Sequence, residues 1–306
     1  MAGAPSSRVL PVPKALPFSR ALVVANPIAG RGRGETVGRA VAEGLRRRGV
    51  PATLHLTSAR GDARARVRGL EAGVDLVVAV GGDGTLRKVL DGLPDPGVPV
   101  GLVPLGTANV MSRDLGLPRD DDRALDVMAA GKVTRIDVAR VNGHLCCLVT
   151  GVGLDGMVVR EVDPRRRAPI TRWRYIVALL RVLTRYRPPR LAVEIDGVDD
   201  RNAYGLVLTS NIVHYAGVLR LSRDRRLDDG RFEVYLFRDA SRRGLASAAL
   251  RGLVGQLPGG ACELRLARWV RVTSDTPVPY HVDGDYGGET PVAVSVGDRQ
   301  YRLLAP

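Results

Sequence analysis

Several absences narrow the reading before any motif is considered. Cysteine occurs three times in 306 residues, two of them adjacent at Cys146 and Cys147. Three cysteines build no disulfide framework and this spacing suits no metal site, so they read as buried apolar residues of a reducing compartment. No apolar run approaches the roughly 20 residues that cross a bilayer. Residues 1–19 lack the apolar core and cleavage site of a secretory signal and read as a disordered, Pro-rich start, which points to a cytoplasmic protein. Aromatic residues make up only 4% of the chain, too few for a platform that stacks single-stranded bases. Lysine stands only at 14, 88 and 132. Such a bias selects arginine over lysine, but it does not create an excess of bases over acids.

That excess is the main compositional signal. Lys and Arg number 46 against 32 Asp and Glu, a formal charge of +14 at pH 7. The charge calls for an anionic partner, and with nucleic acid disfavoured the first choice is an anionic membrane surface. A chain of this length, 45% hydrophobic, can bury a core in each of two domains.

From residue 20 the pattern alternates. ALVVAN is followed by a Gly/Arg loop and a helix to Arg48, then by the strand ATLHLT, a helix, the apolar run Val74 to Val80, GGDGT and another helix. VPVGLVPL leads into Gly106-Thr107-Ala108-Asn109. Such alternation predicts a parallel sheet with helices on both faces, an α/β nucleotide-binding domain over 20–137. Beyond about Asp137, short β-like runs separated by turn signals predict an antiparallel β-sandwich over 138–306, interrupted by helices near 170–187 and 239–256.

Three polar turns follow strands on what would be one sheet edge: Asn26-Pro27-Ile28-Ala29-Gly30, Gly81-Gly82-Asp83-Gly84-Thr85, and Gly106-Thr107-Ala108-Asn109. A Gly-rich turn between a buried strand and a helix aims free N–H groups at a phosphate, and Asp83 adds a carboxylate suited to a magnesium ion or its water shell. A capping βα turn is the alternative for any one of them. In the second domain, Val282-Asp283-Gly284-Asp285 sets two acids around a glycine, which reads either as a solvated turn or as acids facing the nucleotide.

Together, NPxxG, GGDGT and GTxN in this order, with GVGLDG (151–156), LDDGRFEV (227–234) and VDGDYGG (282–288), resemble the diacylglycerol kinase catalytic-domain family, which includes bacterial diacylglycerol kinase-like, sphingosine and ceramide kinases. The resemblance covers residues 20–306. It implies an ATP-dependent lipid kinase with its active site in the interdomain cleft. ATP would be held by Asn26 to Gly30, Thr57, Gly81 to Thr85, Thr107 and Asn109. Asp283 or Asp285, the latter standing where the family usually has Glu, would be the general base. Asp83 would reach the catalytic Mg2+ through water, and Asp229 with the carbonyls of Arg226 and Arg231 would hold a structural magnesium ion. Homodimerisation also follows from the resemblance.

Two departures bear on activity. Val110 replaces an Asp that commonly assists the magnesium network, and Arg87 and Lys88 replace Asn and Glu; these cations would touch ATP phosphates, lipid headgroups or only solvent. The competing readings are a nucleotide-binding regulator that has lost catalysis and an NAD kinase-like enzyme. Finally, the stretch 165–190 sets Arg172, Trp173, Arg174, Arg181 and Arg185 around an apolar helical face. This is either a surface resting on anionic lipid or a helix packed on the β domain.

Overall fold

A computed structural model describes residues 15–59, 61–162, 172–215, 219–221 and 225–306. The expected disordered start falls partly outside this range, at 1–14. Within it, Leu16 is buried, Phe18 packs on the first core, and Ser19 N–H bonds the Asp75 carboxylate, so these residues are docked rather than free.

The first unit runs β1 (Ala21–Ala25), α1 (Ala29–Gly32), α2 (Gly34–Arg47), β2 (Ala52–Leu56), α3 (Asp62–Arg68), β3 (Leu76–Gly81), α4 (Asp83–Gly92), β4 (Val100–Pro104), α5 (Val110–Asp114), α6 (Asp121–Ala130) and β5 (Val133–Ile136). β1, β3 and β4 are buried along their whole length, as expected of apolar strands covered on both faces. Each fully buried Val or Leu contributes roughly 1.5–3 kcal/mol relative to exposure. α2 turns Val37, Val41, Ala42 and Leu45 to the core at helical spacing.

The second unit continues β6 (Ala139–Val141), β7 (His144–Cys146), β8 (Val149–Gly153), α7 (Leu154–Val162), α8 (Arg172–Arg185), β9 (Ala192–Ile195), β10 (Val198–Asp199), β11 (Leu206–Ser210), β12 (His214–Tyr215), β13 (Leu219–Arg220), β14 (Phe232–Phe237), α9 (Arg242–Leu253), β15 (Cys262–Ala267), β16 (Trp269–Thr273), β17 (Pro279–Val282), β18 (Asp285–Glu289), β19 (Val292–Val296) and β20 (Tyr301–Leu304). α9 is shorter than its sequence pattern suggested, and α8 ends at Arg185 rather than near 187, its expected start at 170–171 lying outside the described residues.

The first sheet has the order β2-β1-β3-β4-β20-β5. Its first four strands are parallel, and β20 returns from the chain's end to lie between β4 and β5. The order reverses direction beside β1, and ligands of such sheets bind at the carboxyl ends of strands near that reversal. Two antiparallel sheets, β10-β9-β16-β19-β6-β7 and β15-β14-β11-β8-β17-β18, form the sandwich, sharing a core that includes Val193, Val270 and Val294 from one and Val207, Val234 and Val282 from the other. A further apolar cluster runs without a break from Leu86, Val89 and Met111 of the first unit to Val149, Leu208 and Tyr235 of the second. The two units therefore meet over an apolar seam, and the site lies at its polar margin.

Candidate active site

Strands β2, β1, β3 and β4 end side by side; the three expected turns follow β1, β3 and β4, and Thr57 follows β2. After β1, Asn26 N–H donates to Val80 O and its own carbonyl accepts from Ala29 N–H. The chain then passes through positive φ at Gly30 and Arg31 and doubles back so closely that a Cβ on Gly34 would stand 1.8 Å from the Asn26 carbonyl oxygen. This folds Asn26, Pro27, Ile28, Ala29 and Gly30 into one tight loop, with Ile28 exposed at its tip. Thr57 N–H bonds Ala25 O, which places Thr57 beside the end of β1.

Gly81 and Gly82 end β3, and Asp83 opens α4. The neighbouring GTAN turn is tied to it by Leu105 N–H to Gly81 O at 2.8 Å. Gly82 and Gly106 face each other backbone to backbone, such that a Cβ on Gly106 would lie 2.6 Å from Gly82 Cα. Gly84 faces open space. Thr85 is buried under the turn, its side chain folded against Gly81, so it shapes the loop from beneath. Thr107 is exposed. Asn109 has φ of 47° and spends its Oδ1 on Gly106 N–H at 2.7 Å, which makes its amide part of the turn's own scaffold.

Asp83 accepts hydrogen bonds from Val110 N–H at 3.1 Å and Met111 N–H at 3.2 Å. The position where the resemblance expects a metal-assisting acid therefore serves Asp83 through its backbone, while the Val110 side chain is buried in the core. Burial pushes the Asp83 acid above its ordinary value; the two N–H groups pull it back and the nearby charge of Asp283 adds to the rise.

The opposite wall is the β17–β18 hairpin, whose two turn residues Asp283 and Gly284 have φ of 51° and 79°. Positive φ at both positions is the hairpin turn that Asp-Gly favours. It aims Asp283 back at the strand start, where Oδ1 accepts from Leu148 N–H, Val149 N–H and the Cys146 thiol, and Oδ2 from Cys147 N–H at 2.9 Å. A carboxylate has about four acceptor positions, so Oδ2 alone keeps capacity for another donor. Asp285 is engaged differently. Its Oδ2 forms a close ion pair with Arg87 of α4, whose other terminal nitrogen donates to Val282 O at 2.8 Å.

Arg87 thus reaches across the cleft and joins the two units, which corrects the expectation that it would meet only solvent. Burial disfavours its charge, but Asp283 and Asp285 outweigh the penalty and hold the guanidinium above its ordinary value. Asp285, tied in this way, is not positioned as a free base.

The second expected metal site is also corrected. The Asp229 carboxylate and the Arg231 carbonyl both accept from the Arg225 guanidinium, one bond to each. The residues do not fit a structural magnesium here. At the cleft, by contrast, Asp83 and Asp283 are adjacent like charges that a cation carried in with a nucleotide would relieve, so that pair does fit.

Sequence reasoning missed one further group. Asp155, from the GVGLDG stretch, is hydrogen-bonded to His281 Nε2, and Gly284 N–H lies 3.2 Å from His281 Nδ1, a bond that only the neutral ring accepts. His281 lies on β17, two residues before the turn residue Asp283, so a histidine beside the VDGDYGG motif was the usable signal. Burial opposes a charge on His281, yet Asp155 and then the turn acids hold its value above 6.5; burial likewise opposes Asp155, and His281 holds it below 3.8. The sign follows for each. Stability from His281 is complete below pH 6.5 and is lost as pH rises through its elevated value, whereas that from Asp155 is complete above pH 3.8 and is lost as pH falls through its depressed one. The melting temperature should therefore be highest between these limits and decline on the alkaline side. His281→Gln should flatten the alkaline decline in melting curves taken across that range, and an unchanged slope would refute the assignment.

With this geometry in place, comparison with known proteins identifies the chain. Residues 20–141 match the diacylglycerol kinase catalytic domain, and residues 148–305 match the YegS C-terminal NAD kinase beta sandwich-like domain. The chain belongs to the diacylglycerol kinase catalytic-domain family. Diacylglycerol kinase of Staphylococcus saprophyticus subsp. saprophyticus is 29% identical over 278 residues, covering 89% of this chain and 90% of that protein. The Bacillus subtilis (strain 168) diacylglycerol kinase is 28% identical, covering 90% and 92%. A solved structure from Bacillus anthracis str. Sterne, described as a candidate diacylglycerol kinase, shares the fold with a TM-score of 0.77 at 22% identity, over 95% of this chain and 98% of that one. By family, then, this is a lipid kinase, built as an α/β unit on an antiparallel β-sandwich.

Proposed function

We propose that the chain transfers the γ-phosphate of ATP to the hydroxyl of a membrane-borne lipid such as diacylglycerol. The observation that carries this reading is the meeting of three phosphate-type turns at one sheet edge with Asp283 across the seam. Asn26 to Gly30, Thr57, Gly81 to Gly84 and Thr107 would bind the nucleotide, with Thr85 and Asn109 holding the turns in shape. Asp83 and Asp283 would face its magnesium ion, which neutralises charge on the phosphates. Through the free acceptor position on Oδ2, Asp283 would orient the lipid hydroxyl and take its proton as the new P–O bond forms and the bond between the γ-phosphorus and the β,γ-bridging oxygen breaks, with ADP leaving. Phosphoryl transfer depends chiefly on positioning and charge, so a strongly basic group is not required.

Delivery of the lipid would fall to α8. Its apolar face divides: Tyr175, Leu179, Val182 and Leu183 pack on α7, whereas Trp173, Ile176 and Leu180 are exposed, Trp173 at 69%. The exposed three recur at i, i+3 and i+7, one stripe of the helix, in a segment rich in arginine. Among the described residues no helix is long and apolar enough to cross a membrane, so a bilayer substrate would be met from the surface. Leu250, Leu253 and Val254 of the α9 region are exposed as well, and Arg242 at the start of α9 bonds Thr184 O at the end of α8 at 2.9 Å, so α9 would offer a second apolar contact on a helix tied to α8.

The test uses labelled ATP with anionic vesicles carrying diacylglycerol, ceramide or a long-chain base, and with NAD in parallel. Label is expected on a lipid. Trp173→Glu with Leu180→Glu should lower the rate on vesicles by about tenfold while sparing a short-chain soluble diacylglycerol, since each exposed apolar group lost from the interface removes on the order of 1 kcal/mol or more of binding. Label on NAD, or none on any lipid, would overturn the proposal.

A further inference from the structure

We infer that the Arg225 guanidinium is the resident cation of the Leu227-Asp228-Asp229-Gly230 loop, a covalently attached substitute for the metal ion that such a loop would otherwise need. The inference concerns how the two units are held, and it is independent of which lipid is phosphorylated.

The loop is wired into the junction between the units. Asp137, the last residue before the sandwich, donates its N–H to Leu227 O, and its carboxylate accepts from Gly230 N–H at 2.6 Å and from Gln300 Nε2 at 3.0 Å. Asn211, at the end of β11, donates its Nδ2 to Asp137 O at 2.6 Å. Arg225 closes this network from below. Its Nη1 donates to Asp229 Oδ2 at 2.9 Å, and its Nη2 donates to Asn211 Oδ1 at 2.6 Å and to the Arg231 carbonyl. The side chain is 1% exposed.

A charge buried this deeply is kept only where acceptors surround it. Here one carboxylate, one amide oxygen and one carbonyl converge on the two outer nitrogens, while Nε is buried without a partner. Carboxylate, amide and carbonyl oxygens are also the donors that a hard divalent cation selects. Of the three oxygens expected to hold the ion, the guanidinium uses two, the Asp229 carboxylate and the Arg231 carbonyl. A magnesium ion would draw on the same oxygens and would bring two positive charges against a third that cannot be lost, because guanidinium does not deprotonate in proteins. Arginine and metal are therefore alternatives at this loop. With arginine present, the junction needs no metal, and the cation requirement of the enzyme reduces to the one that travels with the nucleotide.

The experiment uses full-length, nucleotide-free protein freed of metal with a chelator. Mn2+ is titrated and free ion followed by electron paramagnetic resonance, and melting temperature is recorded with chelator and with millimolar Mg2+. Wild type is expected to bind no stoichiometric Mn2+ and to melt at the same temperature in both solutions. Arg225→Met should lower the melting temperature by several degrees, and Arg225→Lys, which keeps a charge, should recover part of the loss. One Mn2+ bound per chain by wild type and lost in Asp229→Asn would overturn the inference, as would Arg225→Met melting no lower than Arg225→Lys. Should the methionine variant fail to fold, the wild-type titration decides alone.

Discussion

Asp283→Asn should cut kcat by about 100-fold or more, the usual range for loss of a general base, with a much smaller change in the KM for ATP. The reason lies in the two oxygens of Asp283. Oδ1 is saturated by Leu148 N–H, Val149 N–H and the Cys146 thiol, and Oδ2 holds only Cys147 N–H. An asparagine must turn its amide nitrogen toward one of these sets. If the nitrogen faces Cys147, the one oxygen open to a lipid hydroxyl is gone; if it faces Leu148 and Val149, two donors are left opposing it. Either arrangement leaves a buried donor unpaired at a cost of roughly 1–3 kcal/mol, so a drop of a few degrees in melting temperature should accompany the kinetic loss. Asp285→Asn supplies the contrast. It weakens the ion pair with Arg87 across the cleft, so its effect should appear in KM as much as in kcat. A folded Asp283→Asn enzyme with kcat within threefold of wild type would remove Asp283 from the chemistry.

The alternating elements and the β-rich second half were legible because buried parallel strands such as Leu76–Gly81 read as continuous apolar runs, and helices such as α2 show their spacing. The three turns were legible for the same reason: glycine and Asp after a buried strand have few other uses. What escaped were side chains whose partners lie far away in sequence. Arg87 and Asp285 are 198 positions apart, and nothing local distinguishes an arginine that crosses a cleft from one that meets solvent. Arg225 escaped because a guanidinium and a metal ion satisfy the same oxygens, so the LDDG pattern looks alike with either. Val110 was rightly marked as unable to ligate, yet its backbone N–H is what Asp83 uses, a role that no side-chain pattern can reveal. The active-site expectation treated every residue of the motifs as facing the nucleotide; Thr85 and Asn109 instead turn inward, toward the loops they build.

The glycines of those loops separate along the same line, and this yields an opposed pair of outcomes. Gly106→Ala would place a methyl 2.6 Å from Gly82 Cα and equally close to Asn109 Oδ1, both parts of rigid turns. The Asn109 amide could rotate only by giving up its bond to Gly106 N–H, and Gly82 Cα is backbone and cannot move aside, so overpacking should cost about 1–3 kcal/mol, the GGDGT and GTAN turns should be forced apart, and ATP binding and turnover should fall together. Gly84→Ala meets nothing within 4 Å and lies inside α4. Alanine favours a helix interior over glycine by up to about 1 kcal/mol, which should raise or at least preserve the melting temperature. The methyl would nevertheless project into the space over the turn that the nucleotide phosphates would fill, so the KM for ATP should rise in a protein that is no less stable. Measuring both quantities on both variants distinguishes a glycine kept for packing from one kept for a ligand. Loss of stability in Gly84→Ala, or unimpaired ATP use by it, would mean that the open face of the GGDGT turn is not the phosphate site.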